Sequence, residues 1–248
     1  LDPDFVHELR IHMPNYTHDF DDSTIGTVVP TGFTSRWVAT TRWAVEGSAP
    51  SRYFQRTLTE GSAARYFVSM DSVNGDSARD QAEILMRMRI SGPMLQAVTL
   101  GAVIRGSGSA TSETGYATAR YGDVLRLIRY SGGVVATLNN SPTLSPAIAS
   151  SAWTWLRFRV SGFTNPLLQA KIWEDTGTLF PDGEPSSWTV EFTDNVAPIT
   201  APGWVGPFFP GGSQDLDIAE IAIATGGGIA GFTPETTNRG RLLMLGIG

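Results

Sequence analysis

The stretch WTWLRFRV, Trp153 to Val160, decides the fold class. Leu156, Phe158 and Val160 fall on one side of an extended chain and Trp153, Trp155, Arg157 and Arg159 on the other, which is the period of a strand with one apolar face. The run stops at Ser161-Gly162, and after Asn165-Pro166 a second alternating run follows, LQAKIWE from Leu168 to Glu174. Two such runs joined by turn residues predict a hairpin. Outward from there, VLRLIRY (Val124 to Tyr130) and Val134 to Leu138 flank Ser131-Gly132-Gly133 and predict another. Ile84, Met86, Met88 and Ile90 alternate with Leu85, Arg87 and Arg89, and LDIAEIAIA (Leu216 to Ala224) runs into Gly226-Gly227-Gly228.

Strands at this spacing, without long helical patterns between them, indicate an all-β sandwich or jelly roll. Asp76-Ser77 before ARDQAEILMRM carries helix-capping signals, but a strand from Glu83 behind a short helical turn agrees better with the alternation. The polar run from Ser107 to Thr118 reads as a loop. Residues 1–18 have no clear period and read as an N-terminal arm, residues 19–228 as the sandwich, and residues 229–248 as a C-terminal tail.

The chain has 248 residues, 41% hydrophobic and 17% charged, enough to bury a full core. Uncharged stretches are broken by Gly, Pro, Ser and Thr short of the roughly 20 apolar residues of a membrane helix, so no membrane span is expected. No basic stretch followed by an apolar one stands near residue 1, so the chain is read as a mature form, as one not exported by that route, or as a piece cut from a longer chain. Zero cysteines remove disulfides, thiolate metal sites and cysteine nucleophiles together. A net charge of −6 argues against a general nucleic-acid partner. Lys171 is the one lysine among 18 basic residues, and the arginines bring planar forks suited to carboxylates, phosphates and aromatic faces. His7, His12 and His18 all lie in the first 18 residues, so a His-dependent triad is not expected. Gly106-Ser107-Gly108 and Gly226 to Gly228 lead into no helix with a following Lys and read as turns, not phosphate loops.

Asn15-Tyr16-Thr17-His18-Asp19-Phe20, Gly26 to Phe33 and Arg36-Trp37, followed by Trp153 to Gly162, Ala170 to Trp173, Glu184-Pro185, Trp188, Gly203 to Gly206 and Asp215 to Thr225, together resemble a concanavalin A-like, laminin G-like jelly roll. The order is similar to versions of that fold in bacteriophage tail and capsid-surface proteins and covers about residues 19 to 228. The resemblance implies a two-sheet antiparallel sandwich with short appendages. Function follows less closely, because this fold hosts lectins, hydrolases and passive structural modules. The expectation is a non-enzymatic module on a virion surface, in tail or capsid, that binds a host cell-surface glycan, such as a polysaccharide, or a receptor. The alternatives are a structural decoration or cement protein and, after that, a laminarinase-type glycoside hydrolase.

Asp215-Leu216-Asp217-Ile218-Ala219-Glu220 resembles the E-x-D-x-x-E strand of those hydrolases, which hold two carboxyl groups about 5 to 5.5 Å apart. Regular alternation places Asp215 and Asp217 on one face and Glu220 on the other, and only a bulge would unite them. No catalytic residue is therefore expected. Asp19, Asp21 and Asp22 lie in the first-strand region, and jelly rolls pair first and last strands. Asp21, Asp22 and Asp217 are thus the candidate ligands of a structural calcium, the one cofactor considered.

Trp155, Arg157, Lys171 and Trp173 are the candidate glycan-binding residues, one sheet surface if the hairpin register allows. Indole faces suit sugar C–H groups and the cations suit acidic glycans. Arg87, Arg89 and Arg129 alternate against apolar neighbours in the same way, and the alternative is that these arginines pair with Glu83, Asp123 and Glu174 as cross-strand ladders while the rings pack a second layer. Leu242, Leu243 and Leu245, in an apolar tail that needs burial, are candidate assembly residues for a homo-oligomer or contact with other virion proteins.

Overall fold

A computed structural model describes residues 15–26, 29–37, 43–48, 52–56, 66–70, 81–91, 99–108, 112–145, 148, 151–176, 183–209 and 215–231. The alternating runs are strands, and no helix occurs among the described residues. In chain order the strands are β1 (Asn15–His18), β2 (Phe33–Trp37), β3 (Trp43–Glu46), β4 (Tyr53–Arg56), β5 (Tyr66–Met70), β6 (Gln81–Ser91), β7 (Thr99–Ser107) and β8 (Thr114–Tyr121). They continue with β9 (Val124–Ser131), β10 (Val134–Asn140), β11 (Thr154–Ser161), β12 (Leu167–Glu174), β13 (Val190–Thr193), β14 (Trp204–Phe209) and β15 (Asp215–Thr225). One sheet has the order β13-β12-β11-β6-β15-β4-β3, with β1 also pairing β15, and the other β10-β9-β8-β7-β14-β5-β2. All pairings are antiparallel, and the two sheets pack as a jelly-roll sandwich.

Both predicted hairpins form. Ser131 pairs Val134 across Gly132 and Gly133, whose φ of 57° and 83° are the left-handed values a two-residue type I′ turn requires. The core takes the inward residues of both sheets. Ile84, Met86, Met88, Leu156, Phe158, Val160, Leu168, Ile172, Ile218 and Ile221 meet Ala102, Ile104, Tyr116, Leu125, Leu127 and Val205.

Three sequence boundaries change. Asn15–His18, assigned to an arm, is a strand paired with Ala224 to Ile221, because the last strand is long enough to seat both β4 and β1 along one edge. Thr114 to Thr118, assigned to a loop, opens β8, where β-branched and aromatic side chains suit a strand between two neighbours. Ala230, assigned to a tail, is fully buried against the first sheet. The strand expected from Glu83 begins at Gln81, and the helical turn expected before it lies outside the described residues.

The open side of the sandwich is closed by the segment after β13. Tyr116 and Arg129 face each other across the β8–β9 pair. Fully buried Asp194 accepts the Tyr116 hydroxyl at 2.8 Å, Arg129 Nη1 at 2.8 Å and the backbone N–H groups of Val196 and Ala197. The Tyr116 oxygen in turn accepts the Ile199 N–H at 2.7 Å. Arg105, a buried non-glycine at φ 58°, is held there by donating to the Ile199 and Gly162 carbonyls.

Candidate functional site

The outer face of the first sheet is ordered by its registers. Directly opposed residues share a face, so β12, β11, β6 and β15 lay down three rows: Gln169, Arg159, Glu83 and Ala224, then Lys171, Arg157, Leu85 and Ala222, then Trp173, Trp155, Arg87 and Glu220. Arg89, Asp217 and Gln55 begin a fourth. Trp155, Arg157, Lys171 and Trp173 are thus brought together on one surface.

That surface is not open. Trp155 is 3% and Trp173 6% exposed, because Ala230 folds back over them and completes a cluster with Leu85, Ala222 and Ala224. Gly226 and Gly227, at φ 65° and 92°, make the reversal that carries the chain from β15 onto the sheet. The fold-back is latched through its backbone. The Ala230 N–H donates to Glu83 Oε1 at 3.0 Å and its carbonyl accepts from Arg157 Nη1 at 2.7 Å. Direct contact between a glycan and the two rings, as the sequence suggests, is corrected by this cover.

The charges are paired as well. Glu83, fully buried, accepts from both Arg157 and Arg159. Glu184 receives Arg157 Nη2 at 2.8 Å and lies 2.8 Å from Lys171 Nζ, which also donates to the Pro185 carbonyl at 2.7 Å. Burial pushes the Glu184 carboxyl up, but hydrogen bonds and charge from Arg157 and Lys171 outweigh it and hold it below the ordinary carboxylate value. Glu83 is among the partners that the ladder alternative names. Arg129 pairs with Asp194 instead of Asp123, and Glu174 is exposed.

Beyond this covered half, side chains reach solvent. The Trp153 ring lies under two guanidinium groups, Arg87 at 4.8 Å and Arg89 at 4.5 Å from its centroid, and Arg89 also lies 6.0 Å from the Tyr53 centroid. Asp175 fixes Arg87 at 2.7 Å, and Asp217 fixes Arg89 through its Nε at 2.9 Å. At the opposite flank the half-buried Trp188 ring lies 5.0 Å from Arg159 and 4.8 Å from Lys171. The alternation in WTWLRFRV puts Trp153 on this face without distinguishing it from its neighbours. Trp188 carried no periodic signal, since it sits in a loop.

The last strand holds a correction. The β15–β6 register slips between Ile218 and Glu220, so Leu216 and Ile218 point into the core, and so do Ile221 and Ile223. Asp217 and Glu220 therefore share the outer face, contrary to regular alternation. Burial pushes the Glu220 carboxyl up, opposed by Arg87 and reinforced by Asp175, Asp19 and Asp21. Glu220 has no hydrogen-bond or ion-pair partner among the described residues. Asp217 is fully buried, its oxygens taken by Arg89 and by Gln55 Nε2 at 2.8 Å.

The calcium set does not assemble. Asp21 Oδ1 accepts the Arg52 N–H, Asp22 lies 3.3 Å from His18 Nε2, and Asp217 is spent on Arg89 and Gln55. Among the described residues no group of three or more His, Cys, Asp or Glu is arranged to hold a metal ion. Leu242, Leu243 and Leu245 lie outside the described residues.

No family model and no curated protein matches the chain. Solved structures do. A Shewanella oneidensis MR-1 protein of unknown function superposes with TM-score 0.53 at 11% identity, covering 88% of this chain and 89% of that one. A carbohydrate esterase of the Shiga toxin-encoding bacteriophage phi24B superposes with TM-score 0.51 at 14% identity, covering 86% and 99%. The exoplasmic/lumenal domain of VIP36, in a form bound to Ca²⁺ and Man3GlcNAc, superposes with TM-score 0.51 at 12% identity, covering 90% and 94%. At these identities the likeness is one of fold, a lectin-like jelly roll.

Proposed function

We propose that the chain is a non-enzymatic glycan-binding module of a virion surface, acting through the outer face of its first sheet. The observation that carries this reading is the pair of solvent-reaching aromatic platforms, Trp153 with Arg87 and Arg89 against its ring, and Trp188 with Arg159 and Lys171 against its ring. A ring held by guanidinium groups is a rigid surface for sugar C–H groups, ringed by donors for hydroxyls. Support from similar folds comes from the Man3GlcNAc-bound VIP36 domain and, for the virion, from the phage esterase. The host polysaccharide meets these two platforms, with Arg157 and Lys171 behind the second. Assembly with other virion proteins or a second copy is assigned to the tail around Leu242, Leu243 and Leu245.

Retention on immobilised host-envelope polysaccharide tests the reading. Trp153→Ala and Trp188→Ala weaken it while melting like wild type. Unchanged retention by both overturns it in favour of a structural decoration protein. The hydrolase reading is favoured by one observation, the shared face of Asp217 and Glu220. It is opposed by the enclosure of Asp217 between Arg89 and Gln55, which leaves that carboxylate no approach to a substrate.

A further inference from the structure

We infer that Arg157 and Lys171 form a receptor for the carboxylate of an acidic sugar, held closed in this conformation by the chain's own Glu184. The inference rests on the glycan-binding reading and names the ligand class of its covered half. The two cations face each other across the β11–β12 pair, and Glu184 bridges them, one oxygen 2.8 Å from Arg157 Nη2 and the other 2.8 Å from Lys171 Nζ. A guanidinium fork beside an ammonium is the geometry by which proteins bind a carboxylate from any source.

The two acids of the network are not equivalent. Glu83 is a strand residue, fully buried, and holds Arg157, Arg159 and the Ala230 N–H at once, so it is the permanent counter-ion. Glu184 comes from outside the sheet, on a segment lying over it, and its side chain is 26% exposed where those of Arg157 and Lys171 are 5% and 8%. Among the strand carboxylates of this face, Glu83 is taken by Arg157 and Arg159 and Glu191 accepts from Gln169, so neither is bonded to Lys171. The second carboxylate on Arg157 and Lys171, that of Glu184, arrives on a loop.

The surroundings suit a sugar ring bearing that group. Trp188, four residues after Glu184, places its ring 4.8 Å from Lys171 Nζ and offers a stacking face at the mouth of the fork. Trp173, next to Lys171 along the same face, has a buried Nε1 without a hydrogen-bond partner, a donor available to a ligand hydroxyl once the loop lifts. A uronic acid unit combines the three requirements: a carboxylate, an apolar C–H face and hydroxyl acceptors.

The test is a gain of binding in the full chain. Calorimetry with oligogalacturonate, and with a neutral β-glucan oligomer of equal length, compares wild type, Glu184→Gln, Glu184→Ala and Glu184→Gln/Lys171→Gln. The expected result is that Glu184→Gln binds oligogalacturonate about tenfold tighter than wild type, the worth of a charge-assisted hydrogen bond set free. The gain disappears in the double variant and at about 1 M salt, and neutral-glucan binding does not change. Folded Glu184 variants without a gain, a gain that survives Lys171→Gln, or unfolding of both single variants each overturn the inference, the last because Glu184 is then an obligatory counter-ion. If wild type still binds the neutral oligomer through Trp153, only this inference fails; if no variant binds any glycan, the broader reading fails with it.

Discussion

Asp217 and Glu220, three positions apart in β15, leave the strand on the same face because the ladder with β6 slips between Ile218 and Glu220. They meet different environments there. Asp217 is fully buried and bonded to Arg89 and Gln55, whereas Glu220 has no hydrogen-bond partner among the described residues and is pushed by burial toward its protonated form. A retaining hydrolase needs a second carboxylate free to attack, and Asp217 is a counter-ion. We expect no turnover of β-glucans or host exopolysaccharides, measured as reducing ends. Turnover abolished by both Asp217→Asn and Glu220→Gln would falsify this.

The raised Glu220 carboxyl has a stability consequence of definite sign. A folded-state value above the unfolded one means that the stabilising contribution belongs to the protonated form. It is fully present below the unfolded value of 4.5 and lost as pH rises through the folded value. Glu220→Gln, which mimics the protonated acid, is therefore expected to melt above wild type at pH 7 and level with it near pH 4. At this chain length about 1 kcal/mol corresponds to about 2–4 °C. A variant that melts below wild type at pH 7 contradicts the assignment.

Trp155 and Trp173 are buried, whereas Trp153 and Trp188, the proposed glycan contacts, are half-buried. Trp155→Ala or Trp173→Ala is expected to cost about 3–5 kcal/mol in urea unfolding, the range for large buried aromatics. Trp153→Ala or Trp188→Ala is expected to leave the midpoint nearly in place and to weaken glycan retention by on the order of 1 kcal/mol, about fivefold. An inverted pattern, with stability lost at Trp153 and binding lost at Trp155, refutes the division.

Glu83 is the counter-ion shared by Arg157 and Arg159 and the latch for Ala230. Glu83→Gln leaves two buried or half-buried guanidinium groups short of charge and is expected to destabilise by about 3–5 kcal/mol. Faster amide exchange at residues 226–231 would accompany it. Destabilisation without loosening of that segment would show that the latch lies elsewhere.

The Tyr116–Asp194 bond closes the side of the sandwich. Tyr116→Phe orphans the Ile199 N–H and takes one of two donors from Asp194 Oδ2, which keeps Arg129, and is expected to cost about 1–3 kcal/mol. Burial raises the Asp194 carboxyl, but Arg129, Tyr116 and the N–H groups of Ala197 and Val196 outweigh it and lower it below 3.8. A depressed acid contributes stability that is present above its unfolded value and lost as pH falls through the folded one. Melting temperature should therefore fall below about pH 4, and less steeply in Asp194→Asn. An equal acid slope in wild type and variant counts against this carboxylate.

Much of the sandwich can be read along the chain, because the side-chain period of an extended backbone is local. WTWLRFRV and LQAKIWE declare which residues face the core and which face away, and Gly132-Gly133 sets a hairpin register that its flanking residues obey. The tertiary structure decided what became of the outward residues. Trp155 and Arg157 alternate outward in sequence, yet they are buried because Ala230, 73 residues beyond Arg157, returns over them, and Glu184 comes from another loop to neutralise Arg157 and Lys171. The slip in β15 was equally hidden. LDIAEIAIA has apolar residues at 216, 218, 219, 221, 222, 223 and 224, so alternation is satisfied in either register, and only packing against Met86 and Met88 of β6 selects the one that sends Glu220 outward. Periodicity is a property of neighbouring residues, but burial and charge pairing depend on segments that are distant in sequence and meet only when the chain folds.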